Sequence, residues 1–386
     1  MIDLFPPKAP PLRDYMAAPI RRYRRGDVLF SAPDYTLLAH GGQTLTGLAL
    51  PELPAAIAAH QARHGGPMVI GAISFDGQSC RLKVPSQLTW YEPLPAQQCF
   101  RCGYPDWTLT AMPSEEEYAK MVARARDRIA AGELDKVVLA RTVIATSPHP
   151  VRLTGLLTHL GGRGRHTFAV PVGHRRTLVG ASPELLISRR GRTITTIPLA
   201  GSIPRHPDKP RADRQAAQHL LASAKDLHEH RLVVQAVTAA LAPFCDELQV
   251  PDRPQAHATP TVWHLASPIT GTLADPATTA LHLAAALHPT PAVCGTPTAA
   301  ARALITELEG GRGIDRGWYA GLVGWQDSAG DGEWALALRC AVREGDRRLR
   351  LWVGAGIVAD SDPALELAET TAKAELMLRA LDAVPR

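Results

Sequence analysis

From Ala364 to Leu381 no Pro or Gly interrupts a run rich in Ala, Leu and Glu, all good helix formers. On such a helix Glu366, Glu369 and Lys373 lie three and four residues apart, so two carboxylates and an ammonium share one face. Just upstream, Leu351-Trp-Val-Gly354-Ala355-Gly356-Ile-Val358 reads as an apolar strand broken by two glycines. Glycine inside a strand marks a place where another group approaches the backbone closely. The predicted unit is a strand, a loop of exposed amides, and a helix that presents a hard-cation site beside a positive charge. Taken alone, Glu369 with Lys373 is equally an ordinary pair on a solvated helix, worth about 0.2–0.5 kcal/mol. The rest of the chain decides between the two.

At 386 residues, 45% hydrophobic and 20% charged, the chain can bury a large core. No apolar run is long enough to span a bilayer, and Met1-Ile-Asp-Leu-Phe-Pro lacks the pattern of a signal peptide, so a cytoplasmic protein with no membrane partner is expected. The net charge of +5 is modest, and Arg21-Arg22-Tyr23-Arg24-Arg25 is the one short basic cluster, which argues against a nucleic-acid partner. Cys99-Phe-Arg-Cys102 is a C-x-x-C without a second pair, so neither a zinc site nor a disulfide framework is indicated.

Residues 1–110 are rich in Pro and short alternating runs, read as strands and loops around a helix near Ala55–Arg63, with no chemical motif. Ser114-Glu-Glu-Glu117 opens a helix with a capping box. The strand after it begins at Lys136, which either snorkels to water or, near the core, serves as a base. Glu184 stands between a small-residue turn and an apolar strand, where a carboxyl is either a turn residue after Pro183 or a proton donor with a raised pKa. Asp226 and Glu229 lie three apart on another helix, as first-turn acids favoured by its dipole or as a second acidic pair that completes a magnesium site. His228 and His230 read as packing residues. A long hairpin is expected from Gly332 to Arg350, with Arg339 interrupting its apolar strand, on the solvent face or poised to hold a carboxylate.

Lys136, Glu184, Asp226, Glu229, Arg339, Glu366, Glu369 and Lys373 together suit Mg²⁺, an anionic substrate, and two separate proton-transfer groups. That combination describes a magnesium-dependent lyase, isomerase or transferase acting on a small acid.

From about Glu115 to Leu381 the chain resembles the chorismate-utilising enzymes, the superfamily of anthranilate synthase component I, aminodeoxychorismate synthase, isochorismate synthase and salicylate synthase. The resemblance rests on Lys136-Val-Val-Leu-Ala-Arg, Gly180-Ala-Ser-Pro-Glu184, Pro198-Leu-Ala-Gly201-Ser, Lys225-Asp-Leu-His-Glu229-His, His264-Leu, Leu287-His-Pro-Thr-Pro-Ala-Val-Cys-Gly295, Gly354-Ala-Gly-Ile-Val and Glu366-x-x-Glu369-Thr-x-x-Lys373. It implies an α+β fold, two large and mainly antiparallel sheets packed as a sandwich with helices outside, in one catalytic domain over residues 1–386. Ala200 stands where covalent aminodeoxychorismate synthases carry a nucleophilic lysine. The His288–Gly295 loop and Ala329-Gly-Asp-Gly-Glu-Trp334 resemble isochorismate synthases of the siderophore type.

The resemblance implies chorismate as substrate and Mg²⁺ as cofactor, held by Glu229 and Glu369 with Glu366 and Asp226 in its outer shell. Lys136 would activate a water that attacks C2, and Glu184 would protonate the departing C4 hydroxyl. Arg339, Lys373, Tyr319 and the amides of Gly354, Ala355 and Gly356 would hold the enolpyruvyl carboxylate, with Gly201, His264 and Ala292 shaping the rest. No glutaminase partner is implied, and a monomer is expected. The alternatives are a salicylate synthase, an ammonia-using synthase subunit, and a non-catalytic chorismate-binding protein.

Overall fold

The computed structural model describes residues 19–95, 106–162 and 164–381, so the Cys99–Cys102 pair and the N-terminal Met1-Ile-Asp segment fall outside the described residues. Along the inner strands of the first sheet, alternate side chains enter two different cores. Val28, Phe30, Leu37 and Ala39 enter one core, whereas Leu29 and Leu38 enter another. A sheet covered on both faces needs strands that are apolar throughout, and Val28–Ser31 is buried at every position.

Ten strands make this sheet, in the order Gly295–Thr296, Lys136–Thr146, Arg348–Ile357, Cys340–Glu344, Arg176–Ser182, His166–Gly173, Val28–Ser31, Thr36–His40, Gln87–Tyr91, with Thr108–Met112 also on Lys136–Thr146. A nine-stranded sheet shares its inner core, where Phe168 of the first sheet joins Ile70 and Trp334 of the second. Three further strands, Leu199–Pro204, Val262–Ala266 and Gln255–Ala258, form a small third sheet. Among the described residues every strand pairing is antiparallel. The helix Leu153–Leu160 and the end of the helix Pro363–Ala380 cover the outer face of the first sheet. The sandwich with helices outside is therefore the observed architecture.

Two corners between the sheets position the chemistry. Arg176–Ser182 lies in the first sheet and Leu185–Arg190 in the second, so the chain crosses at Pro183-Glu184. Gly332–Leu336 lies in the second and Cys340–Glu344 in the first, so it crosses back at Leu338-Arg339. The corners are stitched together, Leu336 N donating to Glu184 O at 3.1 Å and Ala181 N to Arg339 O at 3.2 Å. Residues Gly332 to Arg350 are thus not one long hairpin. Arg339 does not interrupt a strand; it sits at the corner with φ +46, a region costly for a residue with a side chain.

A second expectation is also corrected. Gly354-Ala355-Gly356 is not a loop but an unbroken part of the strand Arg348–Ile357, paired with Ala140, Leu139 and Val138. On the other side its ladder with Cys340–Glu344 ends at Leu351, so this glycine stretch has a free edge there. The helix near Ala55–Arg63 is observed as Leu53–His64. Of the capping box at Ser114, the observed half is the Ser114 side chain accepting from Glu117 N at 3.2 Å.

Phe168 is wholly buried between the sheets, whereas Leu365 is 69% exposed. F168A is expected to lower unfolding free energy by about 3–5 kcal/mol in urea titration, and L365A to change it by no more than about 0.5 kcal/mol.

Candidate active site

Helix capping sets the two acidic faces. Ser223 caps the helix Ala224–Leu241 by accepting from Asp226 N, and Asp362 caps Pro363–Ala380 by accepting from Ala364 N and Leu365 N. The first helix then carries Lys225, Asp226 and Glu229 within two turns, and the second carries Glu366, Glu369 and Lys373. Arg141 anchors the second helix to the first sheet, donating from Nε to Thr370 Oγ1 at 2.9 Å and from Nη2 to Thr371 Oγ1 at 2.8 Å. This gives the Thr-Thr pair between Glu369 and Lys373 a structural purpose.

Each of three glutamates meets a lysine. Lys136 Nζ lies 2.9 Å from Glu229 Oε1, Lys225 Nζ lies 2.6 Å from Glu366 Oε1, and Lys373 pairs with Glu369 one turn away. Lys136 is wholly buried, and Glu229 is the one partner its nitrogen meets among the described residues. Burial alone would raise Glu229, but the Lys136 ammonium beside it holds its carboxyl below the usual value. Glu366 is pushed up to about 7, first by burial and then by Glu369, with Lys225 opposing. Burial likewise raises Asp226.

Gly356 allows the first of these pairs. A Cβ there would lie 2.1 Å from Glu229 Oε1 and 3.1 Å from Lys136 Cε. Gly201 holds φ +75 against Asp226, whose Cβ would be 3.0 Å from an added methyl.

A narrow cleft opens between these helices, the two corners and the third sheet. Of the candidate residues, Glu184, Gly201, Glu229, His264, Ala292 and Tyr319 line it, as do Arg339, Gly354, Gly356, Glu369 and Lys373. Four do not. Lys136 lies beneath the wall, reaching Glu229; Ala355 points into the sandwich core; Asp226 and Glu366 stand behind the lining. Lys373 also donates to Gly354 O at 3.1 Å, fixing the free edge of that strand to the helix.

Glu184 is buried, and burial raises its carboxyl to about 7 against the pull of Lys136, Arg339 and Lys373. Leu199 N donates to its Oε1 at 3.3 Å. Arg339 Nη2 lies 3.2 Å from His264 Nε2. Since a guanidinium only donates, that nitrogen accepts and the imidazole is neutral, in keeping with the burial and nearby cations that push its pKa well down. Tyr319 stacks on Trp352 with rings 7° from parallel. His230 spans Ala200 O and Ser267 Oγ, the packing role its position suggested.

Two participants were not singled out from sequence as site residues. Ser202 donates to Glu369 Oε1 at 2.8 Å, and Lys225 neutralises Glu366. The signal for Lys225 was its place one residue before Asp226 in the first turn of a capped helix.

Among the described residues, no three His, Cys, Asp or Glu side chains are drawn close enough to hold a metal ion. The donor set nevertheless suits a hard divalent cation, because it consists of carboxylate oxygens from two facing helices. One of them, Glu366 Oε2, is buried without a hydrogen-bond partner.

Residues 96–382 match the family model of the chorismate binding enzymes. Isochorismate synthase DhbC of Bacillus subtilis is 46% identical over 94% of this chain and 95% of its own length. Isochorismate synthase EntC of Escherichia coli is 42% identical over 81% of this chain and 80% of its own. A structure solved as the 2,3-dihydroxybenzoate-specific isochorismate synthase DhbC of Bacillus anthracis superposes with a TM-score of 0.87 at 39% identity, covering 95% of this chain and 99% of that one. The chain belongs to the chorismate-binding enzyme family.

A carboxyl whose pKa is higher folded than unfolded binds its proton more tightly in the folded state, so stability falls as pH rises from about 4.5 to about 7. Glutamine keeps an acceptor for Leu199 N without that loss. E184Q is expected to match the wild type in urea unfolding near pH 4.5 and to exceed it by on the order of 3 kcal/mol at pH 8. A gap that does not change with pH would contradict the assignment.

Proposed function

We propose that this protein is an isochorismate synthase that converts chorismate to isochorismate by adding water at C2 and expelling the C4 hydroxyl. The observation that carries the reading is the arrangement of two buried titratable groups, Lys136 and Glu184. Glu184 lines the cleft and Lys136 lies beneath its wall against Glu229, close enough that the lysine's charge acts on the Glu184 carboxyl. The family membership and the isochorismate synthase relatives support it.

In this reading Lys136, in its amine form, takes a proton from the attacking water as the new C–O bond forms at C2. The ring double bonds shift, the C4–O bond breaks, and Glu184 gives its proton to the departing hydroxyl, which leaves as water. Water enters and water leaves, so substrate and product are isomers. The proton on Lys136 then returns to Glu184 through solvent. A carboxyl with its pKa near 7 is half protonated at neutral pH, which suits a general acid working there.

Lys373 and Arg339 line the cleft and present their charges to an anionic substrate. Arg339 and Tyr319 line the cleft, and in this reading they take the enolpyruvyl carboxylate, the first by a planar fork of donors. Mg²⁺, held by Glu229 and Glu369 with Glu366 and Asp226 behind them, would supply charge neutralisation at the ring carboxylate. Ser202 keeps Glu369 oriented for that task. The same reading takes the chain as one catalytic domain that works without a glutaminase.

Purified protein with chorismate and Mg²⁺ should give isochorismate on chromatography. Salicylate with pyruvate would instead make it a salicylate synthase, and anthranilate from added ammonium an amine-transferring synthase. E229Q and E369Q should each lower kcat by at least about 100-fold, and chelation with EDTA should abolish turnover until Mg²⁺ is restored. As Glu184 loses its proton, kcat/KM should fall with rising pH above about 7. Turnover that persists in EDTA would remove the metal from this reading.

A further inference from the structure

Along one edge of the strand Lys136–Thr146 the pairing partners leave a gap. Thr108–Met112 pairs with residues 142–146, and Gly295–Thr296 with residues 136 and 137, so residues 138–141 have no neighbouring strand on that side. Val138 N donates to Cys294 O at 2.7 Å, and side chains fill the rest of the gap. Arg316 Nη2 donates to Val138 O at 2.6 Å, and Glu309 Oε1 accepts from Ala140 N at 2.8 Å. The two are themselves joined, Arg316 Nε to Glu309 Oε2 at 2.8 Å and Nη2 to Oε1 at 2.5 Å. The remaining arm, Nη1, donates to Val293 O at 2.8 Å. Glu309 is 2% exposed and Arg316 4%, and the guanidinium lies 4.5 Å from the centre of the Phe75 ring. A π-helical turn, Thr306–Gly310, brings Glu309 inward.

Both backbones held by this pair are walls of the cleft. Val138 and Val293 line it, Val138 lies two residues beyond Lys136, and Val293 follows Ala292. We propose that Arg316, locked by Glu309, is a positioning residue for the reaction. It fixes the strand that presents Lys136 against the loop that presents Ala292 and Val293, and so sets where the attacking water meets the ring. Neither side chain touches substrate. Lysine could not substitute, because a single ammonium cannot span Val138 O, Val293 O and both carboxylate oxygens as a planar fork does. The inference rests on the isochorismate synthase reading.

The test is steady-state kinetics of R316K with chorismate and Mg²⁺, alongside its thermal unfolding and the same substitution in a K136A background. R316K is expected to remain folded, to lose about 100-fold in kcat, and to change KM by less than about threefold. In K136A it should cost nothing further, because the group it positions is gone. Should R316K fail to fold, E309Q/R316M removes both charges together and is judged by the same kinetic criteria. An inert wild type would overturn the functional reading and this proposal with it. An active wild type whose variants keep kcat within about twofold, or lose as much without Lys136 as with it, overturns the positioning role alone.

Discussion

A fully buried lysine held 2.9 Å from a buried glutamate is the interaction on which this structure turns. Removing both charges from water costs several kcal/mol per ion, and their attraction repays it only with good geometry and further hydrogen bonds. Glu229 is the one partner that meets the Lys136 nitrogen among the described residues, so stability gives little reason to keep the pair. The same holds for Glu184, whose burial raises its pKa and costs stability at neutral pH. Perturbed groups gathered in one cleft mark a functional site. The surrounding fold, with its doubly covered sheet and large shared core, supplies the stability these groups withdraw.

The sandwich solves a positioning problem through its corners. A strand interior fixes a side chain on one face of a sheet, but a chain that crosses from sheet to sheet can aim a residue along the end of the core. Glu184 and Arg339 occupy two such crossings, stitched to each other by backbone hydrogen bonds. Facing helices then bring acidic residues to the same end, and Gly356 leaves the space in which Glu229 and Lys136 meet.

The helical faces were legible in the sequence because a period of 3.6 reveals which residues share a side. Glu366, Glu369 and Lys373 do, and so do Asp226 and Glu229. Ordered motifs carried the fold class through resemblance. The corners were not legible, since an apolar pattern runs through a sheet crossing much as it runs along a strand, and Arg339 therefore looked like an interruption. Gly354 and Gly356 looked like a loop because glycine signals close approach or a turn alike; here the first meaning applies. Arg316 and Glu309 gave no signal, because side chains that replace a missing strand have no period.

In the proposed reaction water enters at one carbon of the ring while the hydroxyl leaves from another, each step served by its own buried group. Turnover of chorismate in ¹⁸O-enriched water, read by mass spectrometry of the isochorismate, tests this directly. One labelled oxygen at C2 is the expected result. Product with no label, meaning that the original hydroxyl migrated within the substrate, would contradict the account.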